Sequence, residues 1–324
     1  MFTHEEIIQL INQELQHLNW NKKPYGLYEP VEYVLSLGGK RLRPALLLLS
    51  CNLFSENISE AIPPALGIEI FHTFTLLHDD LMDKADLRRG HLTVHKKWDE
   101  NIAILSGDVM QTIAFQLMTK APSACLKKCL DLFSQTAIEV CEGQQYDMEF
   151  EKRQEVLPEE YLEMIRLKTA VLLGASMKIG AWLGGAPEED AQTLYEAGIN
   201  MGIAFQLKDD LLDVYGNSAE FGKKIGGDIL CNKKTFLLIQ ALNLARGEEE
   251  KILKKWLQVD ENRGEEKVKA ITAVYNQLGI KEICENEIQF FSDKALEKLH
   301  QISVPENKKS ELLKLTRQLV LRNE

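Results

Sequence analysis

A chain of 324 residues with 45% hydrophobic side chains can bury a substantial core, in one large domain or two. Its 38 Lys and Arg against 49 Asp and Glu give a formal net charge of −11, which argues against a nucleic-acid partner. The six cysteines (Cys51, Cys125, Cys129, Cys141, Cys231, Cys284) show no metal-knuckle pairing, so thiols are the better reading than disulfides, and a reduced, cytoplasmic setting fits.

Residues 1–10 carry Glu5 and Glu6 and no long apolar run, and read as neither a signal peptide nor a transmembrane span. Prolines fall at 24, 30, 44, 63, 64, 122, 158, 187 and 305, leaving 65–121 and 188–304 without any. There apolar residues recur at threes and fours, as in Ile68, Phe71, Thr75 and Leu76, with no sustained period of two. The fold class predicted is all-α. Helices are expected over 3–19, 28–37, 42–54, 60–86, 94–120, 124–150, 158–184, 188–214, 232–246, 248–260, 264–278, 280–300 and 306–322. No low-complexity linker divides them, so 1–324 reads as a single domain. The nearest break is 215–228, where Gly216, Gly222, Gly226 and Gly227 interrupt helix and Lys223 and Lys224 stand among them. It reads as a phosphate-meeting lid or as an ordinary polar connection. The last 65 residues, rich in Lys and Glu, read as a solvated outer layer.

Chemistry-bearing residues begin at Gly38-Gly39-Lys40-Arg41-Leu42-Arg43-Pro44, a glycine turn that feeds three cations into a helix start. Lys40 and Arg43 can converge on one anion there; a solvated basic helix start is the plainer alternative. In the helix 60–86, Asp79-Asp80-Leu81-Met82-Asp83 stacks Asp79 and Asp83 on one face, and the pattern returns as Asp209-Asp210-Leu211-Leu212-Asp213. One such face is often only solvated. Two, each preceded by apolar residues, are poor surface decoration, because charges on apolar helices are rarely buried without a task. Hard carboxylate oxygens with no nearby thiol suit Mg²⁺, which keeps waters and shares its shell with substrate phosphates. Together the faces read as two sides of one metal–diphosphate cavity. His72 lies on the stripe of Asp79, as a satisfied core histidine or a diphosphate contact. Arg88 and Arg89 follow the first motif, either paired to it or offered to diphosphate oxygens. Asp147 can add an acceptor. Lys168-Thr169 interrupts an apolar helix and needs an anion or solvent, and Gln206 faces the same way as Asp209. No nucleophile is arranged for covalent catalysis, so the inventory suits heterolysis of a diphosphate ester.

These segments, with Gly107-Asp108, Gly143-Gln144-x-x-Asp147 and Gly222-Lys223 through Lys233-Lys234-Thr235, resemble the trans-isoprenyl diphosphate synthases (polyprenyl synthetases) over roughly 35–240. The resemblance implies an isoprenoid-synthase-type helical bundle around a central active-site cavity, usually a homodimer. It implies coupling of isopentenyl diphosphate to an allylic diphosphate (dimethylallyl, geranyl or farnesyl) by ionisation, condensation and elimination. By analogy Asp79, Asp83 and Asp209 bind three Mg²⁺, with Asp80, Asp210 and Asp213 nearby. Arg88, Lys168, Gln206, Lys223 and Lys233 hold the allylic diphosphate, with Lys223 or Lys224 as the contact in the loop. Lys40, Arg43, His72 and Arg89 hold isopentenyl diphosphate, and Thr169 and Gln206 turn oxygen dipoles to the allylic cation. A class I terpene cyclase is the alternative, but cyclases typically replace the second acidic motif with an Asn/Ser/Glu triad and lack the basic site.

Product length should depend on a tunnel beside the first acidic helix. Each helical turn rises about 5.4 Å, close to one isoprene unit. Thr75 is small and one turn before Asp79, and Phe71 lies a further turn down. Phe74 points about 140° away from Asp79 on an ideal helix, so its part as the tunnel floor rests on the resemblance to short-chain members. The pattern favours C20, geranylgeranyl diphosphate, with C15, farnesyl diphosphate, close behind.

Overall fold

The computed structural model describes residues 1–216, 226–259 and 263–321. As expected, it is all-α apart from one small hairpin among the described residues. The helices are α1 (His4–His17), α2 (Tyr25–Ser36), α3 (Leu42–Phe54), α4 (Ile62–Met82), α5 (Val94–Lys97), α6 (Glu100–Met118), α7 (Ser123–Lys152) and α8 (Pro158–Ile165). After a π turn (Arg166–Ala170) come α9 (Val171–Leu183), α10 (Glu188–Tyr215), α11 (Gly227–Leu230), α12 (Phe236–Leu244), α13 (Glu248–Trp256), α14 (Gly264–Gln277), α15 (Ile280–Gln301) and α16 (Glu306–Leu321). No helix among the described residues is long and apolar enough to cross a membrane, and all six cysteines are free thiols.

The chain divides into two compact units. The first comprises 1–135, 175–195 and 300–312, and the second 136–174, 196–299 and 313–324. In the first, α4 packs on α6, α3, α2 and α1. Its buried residues run round most of its circumference, from Ala65 and Ile68 to Phe71, Phe74 and Leu77, as a central helix requires. The expected helix over 94–120 is broken, because Trp98 leaves helical geometry and the Asp99 carboxylate caps α6 by accepting the Ile102 N–H at 2.9 Å. In the second unit α8 packs on α12, and α14 packs on α11, α12 and α13. Its core gathers Leu207, Leu211, Phe236, Leu237, Trp256, Ile271 and Tyr275.

Two local departures from the expected helices position functional side chains. Helix α4 stops at Met82, because Lys84 takes φ 53° and the N–H groups of Lys84 and Ala85 return to the carbonyls of Leu81 and Asp80. That is a Schellman stop, and it sets Asp79 and Asp83 on the last turn. The chain then forms β1 (Leu87–Arg88) and β2 (His91–Leu92), antiparallel with Arg88 opposite His91. The two-residue turn Arg89-Gly90 has positive φ at both positions, 53° and 78°, which matches the twist of a tight hairpin. The turn separates the two arginines: Arg88 stays on the strand and Arg89 sits at the tip.

Candidate active site

The first acidic motif lies at the C-terminal end of α4, where the helix dipole already disfavours negative charge. Asp80 is buried, and its carboxylate accepts the Arg88 Nε–H at 2.6 Å, with Arg88 Nη2 3.9 Å from Asp79. Burial pushes the Asp80 carboxyl above its ordinary range, and the Arg88 contact pulls against that shift. Asp83 is exposed, and the Asp79 side chain is half-buried at 21% exposed. In this structure Arg88 is paired to the first motif.

The basic cluster of the first unit forms around the glycine turn. Lys40 is exposed, whereas Arg41, at φ 48°, turns inward. Its guanidinium donates to Glu69 at 2.6 Å, to the Leu35 carbonyl at 3.1 Å and to Asn12 at 3.2 Å. Arg41 is thus occupied in bracing the turn, and the anion-facing candidates reduce to Lys40 and Arg43. Arg43 Nη1 donates to His72 Nε2 at 3.0 Å, which makes that ring nitrogen an acceptor. Burial first, and then the charges of Arg43, Arg89, Arg88 and Arg41, hold the His72 pKa well below its usual range. At the hairpin tip the Arg89 guanidinium donates to the Gly38 carbonyl and lies against Gly39. Gly39 has φ 148°, and a Cβ there would press on that guanidinium, so the position admits little else. Arg43 and His72 therefore meet directly, while Arg89 closes on the turn that carries Lys40.

The second unit holds the other set. The expected helix 158–184 contains a π turn at Arg166–Ala170, an extra residue in one turn that falls on Lys168-Thr169. Helix α7 runs so close to this turn that a Cβ on Gly143 would collide with the Lys168 backbone nitrogen. One turn beyond Gly143, Asp147 accepts Lys168 Nζ at 2.7 Å, with Lys233 Nζ at 3.9 Å. Burial would raise the Asp147 pKa, but Lys233 and Lys168 outweigh it and hold the carboxyl below the usual range. The Thr169 hydroxyl donates to Gln206 Oε1 at 3.2 Å, and Gln206 Nε2 donates to Asp210 Oδ1 at 3.2 Å. The Tyr161 hydroxyl donates to Asp210 Oδ2. Burial, and then Asp228, push Asp210 up to about 8 against the hydrogen bond from Tyr161. One pocket is lined by Asp147, Tyr161, Lys168, Thr169, Gln206 and Lys233 with Met164 and Ile165. Asp209 is half-buried on α10. Asp213 accepts the Asp228 N–H at 3.0 Å on its carboxylate, and its carbonyl accepts the Gly226 N–H at 2.6 Å. Lys223 and Lys224 lie outside the described residues.

Of the expected length-setting residues, Phe71 and Phe74 are buried and Thr75 is half-buried. Phe74 packs edge-on against His78 at 4.8 Å and against Phe71 at 5.5 Å. Phe71 meets Phe133 at 5.1 Å, and Phe133 meets Phe115 at 4.8 Å. Sequence reasoning missed Phe115 and Phe133, which carry no motif, and it missed Tyr161, whose only signal is a hydroxyl on an otherwise apolar helix face.

The donor set fits Mg²⁺. No group of three or more His, Cys, Asp or Glu among the described residues could hold a metal by itself. Carboxylate pairs at helix ends would supply part of an oxygen shell, with phosphate and water to complete it, which is the habit of Mg²⁺ rather than Zn²⁺.

The all-α scaffold is of the isoprenoid-synthase type, as solved structures of prenyl synthases show. A crystal structure of a geranylgeranyl pyrophosphate synthase superposes with a TM-score of 0.94 at 40% identity, over 100% of both chains. The geranylgeranyl diphosphate synthase of Methanosarcina mazei is 45% identical over 221 residues, 68% of each chain. That of Saccharolobus solfataricus is 36% identical over 321 residues, 98% of this chain and 96% of the relative. Residues 24–275 match the polyprenyl synthetase family, and the chain belongs to it.

Proposed function

We propose that this chain couples isopentenyl diphosphate head-to-tail to an allylic diphosphate, with C20 geranylgeranyl diphosphate the favoured product and C15 second. The observation that carries the reading is the pocket where two lysines stand beside the Thr169–Gln206 oxygen pair. It offers cations to a departing diphosphate and oxygen dipoles to the carbocation left behind. Asp79, Asp83 and Asp209 would hold Mg²⁺, three ions in all, which when bound supplies Lewis-acid neutralisation of the diphosphate charge.

Lys168, Lys233 and Arg88, with Lys223, hold the allylic diphosphate. Lys40, Arg43, Arg89 and neutral His72 hold isopentenyl diphosphate, whose double bond attacks the cation. Thr169 and Gln206 present lone pairs to that cation, and apolar walls keep water from trapping it. No protein base is evident, so the final proton passes to the departed diphosphate. The two units form one polyprenyl synthetase domain, a reading supported by the family match, which runs through both. The chain acts as a cytoplasmic homodimer. Dimerisation is supported by Ile104 and Leu105 on α6, 44% and 58% exposed, which a second copy would cover.

The test is incubation with isopentenyl diphosphate, Mg²⁺ and each allylic primer in turn, followed by product mass. A C20 diphosphate that disappears with EDTA is expected. Turnover of an allylic diphosphate without isopentenyl diphosphate would instead identify a cyclase.

A further inference from the structure

We propose that Asn232 is a positioning residue: its left-handed turn at the end of α11 brings the Lys233 backbone back onto Asp228 and so delivers the Lys233 side chain to the pocket. The inference rests on the reading of that pocket as the place where the allylic diphosphate binds.

Helix α11 is a single turn, and all four of its carbonyls have partners. Gly227 accepts the Cys231 N–H at 3.1 Å, Asp228 the Lys233 N–H at 2.9 Å, Ile229 the Asn232 N–H at 3.2 Å, and Leu230 the Lys267 ammonium at 3.0 Å. The bonds from Lys233 to Asp228 and from Asn232 to Ile229 together form a Schellman stop, which needs Asn232 in the left-handed region. Asn232 has φ 56°. Glycine is the usual residue at such a stop, and asparagine is one of the few others that take it routinely. The Asn232 side chain also ties the turn down, because Nδ2 donates to the Leu257 carbonyl at 3.1 Å, at the C-terminal end of α13. Lys267, 2% exposed, ties it from α14. On the near side the N–H groups of Gly226 and Asp228 are held by Asp213 of α10. On the far side the Thr235 hydroxyl accepts the Leu238 N–H at 3.4 Å and starts α12. Lys233 therefore leaves a segment pinned at both ends, and its Nζ lies 3.9 Å from Asp147, among the residues that line the pocket. A residue that cannot hold φ near 56° must break the bond to Asp228, and the Lys233 stem then swings away from Asp147. Asn232 touches no substrate in this scheme and acts only through Lys233.

The experiment compares Asn232→Val, Asn232→Ala and Asn232→Gly by steady-state kinetics and by the rate at which acetic anhydride modifies Lys233, read by mass spectrometry. A β-branched residue resists the left-handed region, whereas glycine enters it freely. Asn232→Val should raise KM for the allylic diphosphate about tenfold, the scale of one lost charge-assisted hydrogen bond, and leave KM for isopentenyl diphosphate within about twofold. Lys233 should acetylate faster in that variant. Asn232→Gly should bring both readouts back toward wild type, although it lacks the amide. In the Lys233→Ala background Asn232→Val should raise KM no further. A fall in kcat with both KM values unchanged is what a loosened fold alone produces, and it would overturn the proposal. So would a glycine variant as impaired as the valine one, or Lys233 acetylation unchanged in Asn232→Val. Should Asn232→Val fail to fold, Asn232→Ala decides: the same effects are expected in smaller degree, and wild-type values would sink the idea. Wild-type protein that makes no condensation product from any primer would refute the functional reading instead, and the acetylation rates would still decide whether Asn232 places Lys233.

Discussion

The two acidic motifs, Asp79–Asp83 and Asp209–Asp213, share the five-residue pattern Asp-Asp-Leu-x-Asp, yet their middle carboxylates are satisfied by opposite chemistry. Asp80 is held by a guanidinium that arrives on a hairpin, whereas Asp210 is held by a phenol and an amide. The last residues differ as well: Asp83 is exposed at a helix stop, while Asp213 accepts a backbone N–H from α11. The surroundings follow suit. The first motif's helix carries an aromatic stack, and the second motif's helix carries a polar chain that reaches Thr169. A repeated motif therefore need not mean a repeated task. On the proposed function, the aromatic stack would belong to length control and the polar chain to the charge that ionisation creates.

The hardest test of that division is to remove the part the motifs should share. Asp79→Ala and Asp209→Ala should each lower kcat on the order of 10³-fold, as loss of a transition-state charge stabiliser does, with helical circular dichroism unchanged. If one of them kept normal turnover, the corresponding face would hold no essential metal.

Length control should separate cleanly from turnover. Phe74→Ala should add at least one isoprene unit to the product while prenyl transfer continues, whereas Gln206→Leu should slow the reaction without moving the product distribution. A Phe74→Ala product profile identical to wild type would exclude that ring as the floor. Phe71→Ala is a poorer probe of length, because a 1% exposed ring packed on Phe74 and Phe133 is core, and its loss should cost about 3–5 kcal/mol of stability in denaturant unfolding.

The pairing of Asp80 can be broken from the other side. Arg88→Gln leaves a buried carboxylate without its cation. A loss of about 2 kcal/mol is expected in urea unfolding, toward the lower end for a buried pair because Arg88 is 25% exposed. No change in stability would mean that the Arg88–Asp80 pair contributes nothing to the fold.

Much of this was legible in the chain itself. The spacing of apolar residues gave the helices, and the pairing of Asp79 with Asp83 needed only the pitch of a helix. What was hidden came from geometry that spacing does not encode. The π turn at Lys168-Thr169 lies where α7 approaches closely at Gly143, a contact that spacing along the chain does not announce. The hairpin that separates Arg88 from Arg89 is two residues per strand, too short to show an alternating pattern. The sequence singled out Lys40 and Arg43 as the anion-facing pair, but it did not show what Arg41 does, because its partner Glu69 is 28 residues away in the chain. Tyr161 and Asp210 are 49 residues apart, and nothing local to either announces the other.

The smallest expected effect concerns Asp147, which in the second unit takes the part that Asp80 does not play in the first. Asp80 is raised by burial despite its cation, whereas Asp147 is lowered because Lys233 and Lys168 outweigh burial. A carboxyl whose folded pKa lies below its unfolded value of about 3.9 stabilises the fold above that pH. As the pH falls through the folded pKa both states become protonated, and the contribution disappears. Asp147→Asn should therefore be less stable than wild type by about 1.5 kcal/mol near pH 7, the scale of a hydrogen bond to a charged group. The gap should begin to close below about pH 3.9. Paired urea titrations at pH 7 and at pH 3 check it. A gap that widened in acid would mean that the lysines do not hold Asp147 ionised, and the two motifs' acidic neighbours would then differ less than their hydrogen bonds imply.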